Sequence, residues 1–191
     1  MKQMKLKIQG ITPMIHHSER LANPFDPLSR SLKKLTAKRG KTETDLLEIA
    51  RVEWEGGLYY DTDAGRPCVP GYNLLAAAIN GGKIRKLGTA VKRAVLVLED
   101  KVPMLYDGPR DIDSMFSDKN FVDVRSVKVG TAKVARCRPI FKNWALEFTV
   151  VWDDSVLQED QLLTVFSDTG AMVGIGDYRP RFGRFEVVGH A

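Results

Sequence analysis

The sequence predicts an α+β protein with a ferredoxin-like (RRM-like) βαββαβ core, and three observations lead to this. Four segments have the apolar alternation or β-branched composition of strands. Two segments have the apolar face of a helix. With two insertions set aside, at about 23–60 and 101–140, the segments follow in the order strand, helix, strand, strand, helix, strand. The length of 191 residues suits one domain spanning 1–191.

The first half of the core contains a strand, a helix and a second strand. In the segment Met4–Ile15, apolar residues begin by alternating with polar ones, which is typical of a strand. Residues Tyr72–Asn80 are rich in alanine and leucine, and Gly81-Gly82 are expected to end this helix. The apolar run Ala94–Leu98 predicts a buried strand.

The second half of the core repeats this pattern in the order strand, helix, strand. Trp144–Trp152 places alternate apolar residues on one face of a strand. The helix Glu159–Ser167 has Gln158 as a capping residue and Gly170 after its end. Phe185–Val188 then forms the last strand.

The two insertions have different predicted structures. Asn23–Ser31 contains two prolines and is expected to be a loop, after which Thr42 and Asp45 can cap a helix that Gly56-Gly57 ends. Lys101–Asn120 is polar and is expected to be irregular. It leads into a hairpin made of 121–129 and 133–140, with a bulge expected near Ser126.

Composition limits the classes of function. The net charge of +5 and the pI of about 9.2 permit a nucleic-acid or other polyanionic partner without requiring one. Cys68 and Cys137 lack metal-ligand spacing and are expected to be free thiols in a reducing compartment. The N-terminus lacks the apolar run of a signal peptide, and no segment has the length of a membrane span. We therefore expect a cytoplasmic protein without a membrane partner.

The most informative segment is Gly174–Arg184, here called the glycine–arginine loop. It holds three glycines (Gly174, Gly176, Gly183) and three arginines (Arg179, Arg181, Arg184). Glycine allows tight turns that leave backbone amides open to an anion, and arginine donates bidentate hydrogen bonds to phosphate. The alternative is a structural turn whose arginines are solvated.

Further basic residues are candidates for phosphate contact. Arg66 and Asn73 precede and begin the first core helix, where amides and the helix dipole favour an anion. A basic strip follows that helix: Lys83, Arg85, Lys86, Lys92 and Arg93. The hairpin has Arg125 and Lys128 on one strand, and Lys133, Arg136 and Arg138 on the other. Opposed basic strands repel each other unless a polyanion or an acidic surface lies against them. Solvated surface charge is the alternative in each case.

Two motifs resemble those of the RAMP superfamily, the RNA-binding proteins of CRISPR complexes. Residues 63–77, DAGRPCVPGYNLLAA, are similar to the acidic turn and Pro-Gly entry into that family's first helix. The glycine–arginine loop resembles the family's terminal glycine-rich loop. Where the family has a pair of serines, this chain has Tyr72-Asn73. At about the position of the family's lysine–glycine pair, it has Ala76-Ala77.

The resemblance is strongest to the backbone subunit that lines guide RNA. It implies a modified ferredoxin-like core with a protruding hairpin, RNA or single-stranded DNA as partner, and self-association or a place in a multi-subunit complex. A divergent, phage-borne relative that binds nucleic acid outside any CRISPR complex is also compatible with this resemblance.

The sequence is compatible with two other functions. His16-His17 follow the first strand, near the point where guide-RNA endonucleases of the same superfamily place a general base, so a metal-independent ribonuclease is one alternative. An assembly subunit whose basic hairpin grips an acidic neighbour is the other. Asp26, Asp61 and Asp63 lack diagnostic metal-ligand spacing, and we expect no cofactor and no metal.

Overall fold

A computed structural model describes all 191 residues, apart from the side chains of Val129 and Ala132. The fold is mixed α+β, as the sequence predicts, and its sheets are antiparallel. The chain divides into two compact units. The first unit comprises Met1–Met14, Tyr60–Asp107 and Phe141–Ala191, and the second comprises Ile15–Tyr59 and Gly108–Ile140. A single domain carrying two insertions stays a prediction.

The secondary structure is as follows. The strands in chain order are β1 (Lys2–Gly10), β2 (Met14–Ile15), β3 (Tyr60–Asp61), β4 (Arg66–Pro70), β5 (Val95–Val97), β6 (Lys101–Leu105), β7 (Val122–Val129), β8 (Ala132–Phe141), β9 (Ala145–Trp152) and β10 (Phe185–His190). The α-helices are α1 (Pro27–Ala37), α2 (Glu43–Gly57), α3 (Gly71–Ile84), α4 (Gly88–Ala94), α5 (Ile112–Ser117) and α6 (Glu159–Asp168).

The sheet of the first unit has the strand order β10-β1-β9-β6-β4-β3. Strand β5 also pairs with β9, opposite Val150–Trp152, whereas β6 pairs with β9 at Leu146 and Ala145. Alternate residues of β1 and β9, such as Leu6 and Phe148, are buried on one face. The ring of Phe148 contacts that of Phe166 on α6, with centroids 5.8 Å apart. Each fully buried side chain of this size stabilises the fold by roughly 1.5–3 kcal/mol.

The prediction that Gly81-Gly82 end the first core helix is wrong, since α3 continues to Ile84. These glycines instead permit close packing. A Cβ on Gly81 would lie 2.0 Å from Thr169 Oγ1, and one on Gly82 would lie 3.2 Å from the Gly88 Cα of α4. Close approach of another backbone is a second reason for glycine, and it does not require the helix to stop.

The second unit contains the basic hairpin and the helices α1, α2 and α5. The three-stranded sheet has the order β2-β8-β7. The capping box between Thr42 and Asp45 at the start of α2 is confirmed. The indole of Trp54 on α2 is fully buried and donates a 2.8 Å hydrogen bond to the carbonyl oxygen of Phe121.

Several local predictions are wrong in this part of the chain. Helix α1 begins inside the expected loop because Asp26 caps it and Pro27 occupies its first turn. The segment Lys101–Asn120 contains β6 and α5 in place of irregular structure. The hairpin keeps a continuous register past Ser126, which faces Ala135, so the expected bulge is absent there.

None of the helices described in the structure is both long enough and apolar enough to cross a membrane.

Candidate nucleic-acid interface

The glycine–arginine loop is held at both ends by main-chain hydrogen bonds within the first unit. A single π-helical turn, Thr169–Val173, follows α6, and the amide of Gly174 then donates to the carbonyl oxygen of Thr169 at 2.7 Å. The amide of Ile175 donates to the Gly183 carbonyl at 2.9 Å. The amide of Gly183 in turn donates to the Pro13 carbonyl at 2.8 Å. The residues between these contacts therefore project from a fixed base.

Glycine is required at this base for two physical reasons. Gly174 and Gly183 both have a φ of +73°, in the region that side chains resist. A Cβ on Gly183 would also lie 1.7 Å from the carbonyl oxygen of Ile175. The amides of Gly174 and Gly183 are used inside the chain, which corrects the expectation that the Gly174 amide is open to a ligand.

The three arginines of the loop have different surroundings. Arg179 and Arg181 are exposed, and among the described residues neither forms an ion pair. Arg184 is half-buried, and its Nε donates to the Pro180 carbonyl at 2.8 Å, while its amide donates to Thr12 Oγ1 at 2.9 Å. Arg184 thus stabilises the loop, and the exposed pair is available to an anion.

A cavity of about 570 Å³ adjoins the loop. It is lined by Asn80, Met172, Val173, Gly176, Asp177, Tyr178, Arg179 and Pro180. Tyr178 is 37% exposed, and its ring meets Phe182 edge to face at 6.3 Å. A guanidinium, a phenol ring and a carboxamide thus surround one space. These groups can contact a phosphate, a base face and a base edge respectively.

Helix α3 extends this surface. Asn73 and Asn80 are seven residues apart and therefore lie on the same helical face, about 10 Å from each other at 1.5 Å per residue. Lys83 is one turn further and donates from Nζ to Asn80 Oδ1 at 2.8 Å. The sequence singled out Asn73 and missed Asn80, although the spacing of two helical turns identifies it.

Arg66 and Arg85 have structural partners. Arg66 on β4 is half-buried and donates from a terminal guanidinium nitrogen to the Met104 carbonyl at 3.1 Å. Arg85 donates from Nε to the buried carboxylate of Asp168, at the end of α6, at 2.5 Å. Lys86, by contrast, is exposed. Arg85, one member of the basic strip, therefore links the end of α3 to the end of α6 through an ion pair.

The basic hairpin, in the second unit, is also largely neutralised. Arg125 and Arg136 face each other across the strands, but Arg125 bonds Asp123 and Arg136 bonds Glu53 on α2. The like charges that the sequence shows are thus compensated within the chain, which corrects the inference that they require an external polyanion. Lys128 and Lys133 remain directly opposed and exposed.

The two histidines differ in accessibility. His16 is 1% exposed, and burial lowers its pKa from 6.5 to about 3 by disfavouring the charged imidazolium. Its Nδ1 accepts a hydrogen bond from the amide of Tyr59 at 3.4 Å. This burial is incompatible with a general base that reaches a ribose hydroxyl. His17 is exposed and lines a second cavity, of about 330 Å³, in the second unit.

The acidic candidates have partners of their own. The carboxylates of Asp26 and Asp61 bond Arg20 and Lys101 respectively. Among the described residues, no three His, Cys, Asp or Glu side chains converge in a way that could hold a metal ion.

Comparison with models of known protein families gives no match for this chain, and comparison with curated proteins gives none either.

Proposed function

We propose that the first unit binds single-stranded nucleic acid, RNA or DNA, through the glycine–arginine loop and the adjoining face of α3, without catalysing a reaction. One observation carries the proposal. Arg179 and Arg181 are exposed and have no ion pair within the described part of the chain, on a loop whose base is held by main-chain hydrogen bonds, and Arg179 lines a cavity of about 570 Å³. Exposed arginines normally adopt many conformations, and a rigid base lowers the entropy lost when they bind phosphate.

The neighbours of the arginines favour a single strand over a duplex. Tyr178 lines the cavity with Arg179 and is 37% exposed, and unpaired bases stack on aromatic rings, whereas the bases of a duplex are already stacked. The carboxamide of Asn80 donates from Nδ2 to the Ala76 carbonyl at 3.0 Å and accepts from Lys83, and its second N–H can donate to a base edge. None of these groups is specific for ribose, so either sugar is compatible with the site.

The strand order supports a ferredoxin-like core in the first unit. Taken alone, β1, β5, β9 and β10 lie in the order β10-β1-β9-β5, with every neighbour antiparallel. Helix α3 lies between β1 and β5 in the chain, and α6 lies between β9 and β10. Strands β6, β4 and β3 are additions to this plan. The same order is compatible with a divergent RAMP-type protein that self-associates along its strand or joins a larger complex.

The ribonuclease alternative has less support, because the imidazole of His16 is buried. The assembly-subunit alternative loses most of its basis, since the hairpin arginines Arg125 and Arg136 already have carboxylate partners.

The test is the salt dependence of binding. Fluorescence anisotropy is measured with a labelled single-stranded RNA and the same sequence as DNA, for the wild type and for Arg179→Gln/Arg181→Gln. Each phosphate contact contributes about 0.7 to the slope of log affinity against log salt. Losing two contacts is expected to make the slope shallower by about 1.4.

The matched control is Lys33→Gln/Lys34→Gln on α1, which removes two positive charges from exposed positions outside the candidate residues for phosphate contact. We expect the control to keep the wild-type slope. Equal slopes for the loop variant and the control would refute the proposed interface, and the absence of any binding at low salt would refute the proposed function.

A further inference from the structure

Asn80 and Lys83 form a hydrogen-bonded pair at the cavity of the proposed interface. Asn80 lines the cavity and is half-buried, and Lys83 is exposed about one turn further along α3. Lys83 Nζ donates to Asn80 Oδ1 at 2.8 Å. We propose that this pair makes the interface prefer guanine to adenine and cytosine. The preference rests on the proposed function, since it concerns the bases of the single strand bound there.

The hydrogen bonds of the Asn80 carboxamide fix which of its atoms meets a ligand. A lysine ammonium can only donate, so the atom that it contacts is the oxygen Oδ1. Asn80 Nδ2 donates to the Ala76 carbonyl at 3.0 Å, which engages one of its two N–H groups. The second N–H of Asn80 and two further N–H groups of Lys83 can be donated to a ligand. The pair therefore presents adjacent donors to a base edge.

Guanine has the base edge that matches two adjacent donors. Its N7 and O6 are neighbouring acceptors, whereas adenine places an amino donor beside N7, and cytosine has an amino donor on the corresponding edge. Asparagine ordinarily reads adenine through its oxygen and its amide together, but the Asn80 oxygen already accepts from Lys83. An amino group held against the pair would meet donors and lose its hydrogen bonds to water, which costs free energy.

The surroundings of the pair can accommodate a guanine base. The cavity of about 570 Å³ lies within the range of roughly 300–1,000 Å³ that is usual for small-molecule sites. Tyr178 lines it and is 37% exposed, so an unpaired purine can stack there. Asp177 also lines the cavity. A carboxylate accepts hydrogen bonds, and guanine has an amino donor on its other edge, so Asp177 does not select against guanine.

The experiment is fluorescence anisotropy of the full chain with labelled RNA octamers. Each octamer has adenine at every second position, and the other positions hold adenine, cytosine, guanine, hypoxanthine or 7-deazaguanine. Hypoxanthine keeps both N7 and O6, whereas 7-deazaguanine lacks the N7 acceptor. We expect the guanine and hypoxanthine octamers to bind about fivefold or more tightly than the adenine and cytosine octamers. The 7-deazaguanine octamer should lose most of this advantage.

The outcomes distinguish this inference from the proposed function. Equal affinity for the guanine and adenine octamers would overturn the guanine preference and leave the proposed function intact. A guanine advantage that 7-deazaguanine retains in full would also overturn it, because the N7 acceptor would then have no role. The absence of binding by every octamer at low salt would refute both.

Variants test whether the pair causes the preference. Asn80→Ala removes the carboxamide without changing the charge, and Lys83→Met removes the ammonium but keeps an apolar stem. We expect both to lose the advantage of guanine over adenine. Asn143→Ala is the matched control, because Asn143 is an exposed asparagine of the same unit that does not line the cavity. A guanine advantage of wild-type size in Asn80→Ala and Lys83→Met would overturn the inference.

The loop variant Arg179→Gln/Arg181→Gln completes the comparison. We expect it to weaken the binding of every octamer by the same factor and to keep the ratio of guanine to adenine affinity. Loss of that ratio in the loop variant, with the ratio unchanged in Asn80→Ala, would assign the preference to the arginines and refute the role of the pair.

Discussion

Replacing Gly183 by alanine tests whether the base of the glycine–arginine loop is rigid. The φ of +73° costs an alanine about 1 kcal/mol relative to glycine. The added Cβ would also lie 1.7 Å from the Ile175 carbonyl oxygen, so the backbone at Gly183 must move away from the backbone at Ile175. Separation breaks the Ile175–Gly183 hydrogen bond and weakens the Gly183–Pro13 bond, at about 1 kcal/mol each. The expected loss of stability is therefore about 3 kcal/mol.

Gly65→Ala is the matched control in the same unit. Gly65 has a φ of +60°, but nothing lies within 4 Å of the position that its Cβ would take. This variant bears only the conformational cost of about 1 kcal/mol. Urea unfolding, followed by tryptophan fluorescence, measures both variants. Equal losses of stability would show that the loop accommodates a side chain at 183, and the argument for a fixed base would be refuted.

Three further predictions concern the buried polar groups. Because the pKa of His16 is lowered to about 3, the neutral imidazole stabilises the fold fully above pH 6.5, and this contribution is lost as the pH falls toward 3. The unfolding free energy of the wild type should therefore decline between pH 6.5 and 4.5, by up to about 1.4 kcal/mol per pH unit. His16→Leu should make this decline less steep. An unchanged slope would contradict this. Glu53→Ala removes the acceptor of Arg136 and should lower the unfolding free energy by about 2–3 kcal/mol in urea titrations, whereas Glu48→Ala on the exposed part of α2 should change it by less than about 0.5 kcal/mol. Burial raises the pKa of the Cys68 thiol to about 11 and that of the Cys137 thiol to about 12. Both thiols should therefore react with a disulfide reagent only as the protein unfolds. Fast labelling of the native protein would contradict this, because it would show that the thiols are accessible.

The core elements could be predicted from the sequence because their signals are local. The alternation in Trp144–Trp152 and the capping residues of α2 and α6 act within a few residues of one another, and the structure has these elements close to the expected bounds. The prediction that Gly81-Gly82 end the helix is wrong because glycine has two roles: it ends helices, and it also allows another part of the chain to pack closely. A helix end is a local feature, but the close approach of Thr169 comes from a part of the chain 88 residues away.

The candidate site was harder to predict because charge compensation is not local. Arg85 and Arg136 each bond a carboxylate 83 residues distant in the chain, so the sequence shows these arginines as basic residues without partners. Arg179 and Arg181 stay candidates, since neither has a carboxylate partner among the residues that the structure describes. The burial of His16 was likewise not visible in the sequence, where paired histidines after a strand have the same pattern whether they are buried or exposed.

The most direct test of the proposed interface is photo-crosslinking of the protein to a single-stranded RNA that contains 4-thiouridine, with the adducts located by mass spectrometry. Because Tyr178 lies at the cavity beside Arg179, we expect adducts within Gly174–Arg184, at Tyr178 above all, and we expect them to diminish in Arg179→Gln/Arg181→Gln. Adducts found only outside the glycine–arginine loop and α3, at equal yield in the variant and the wild type, would contradict the proposal that this loop binds nucleic acid.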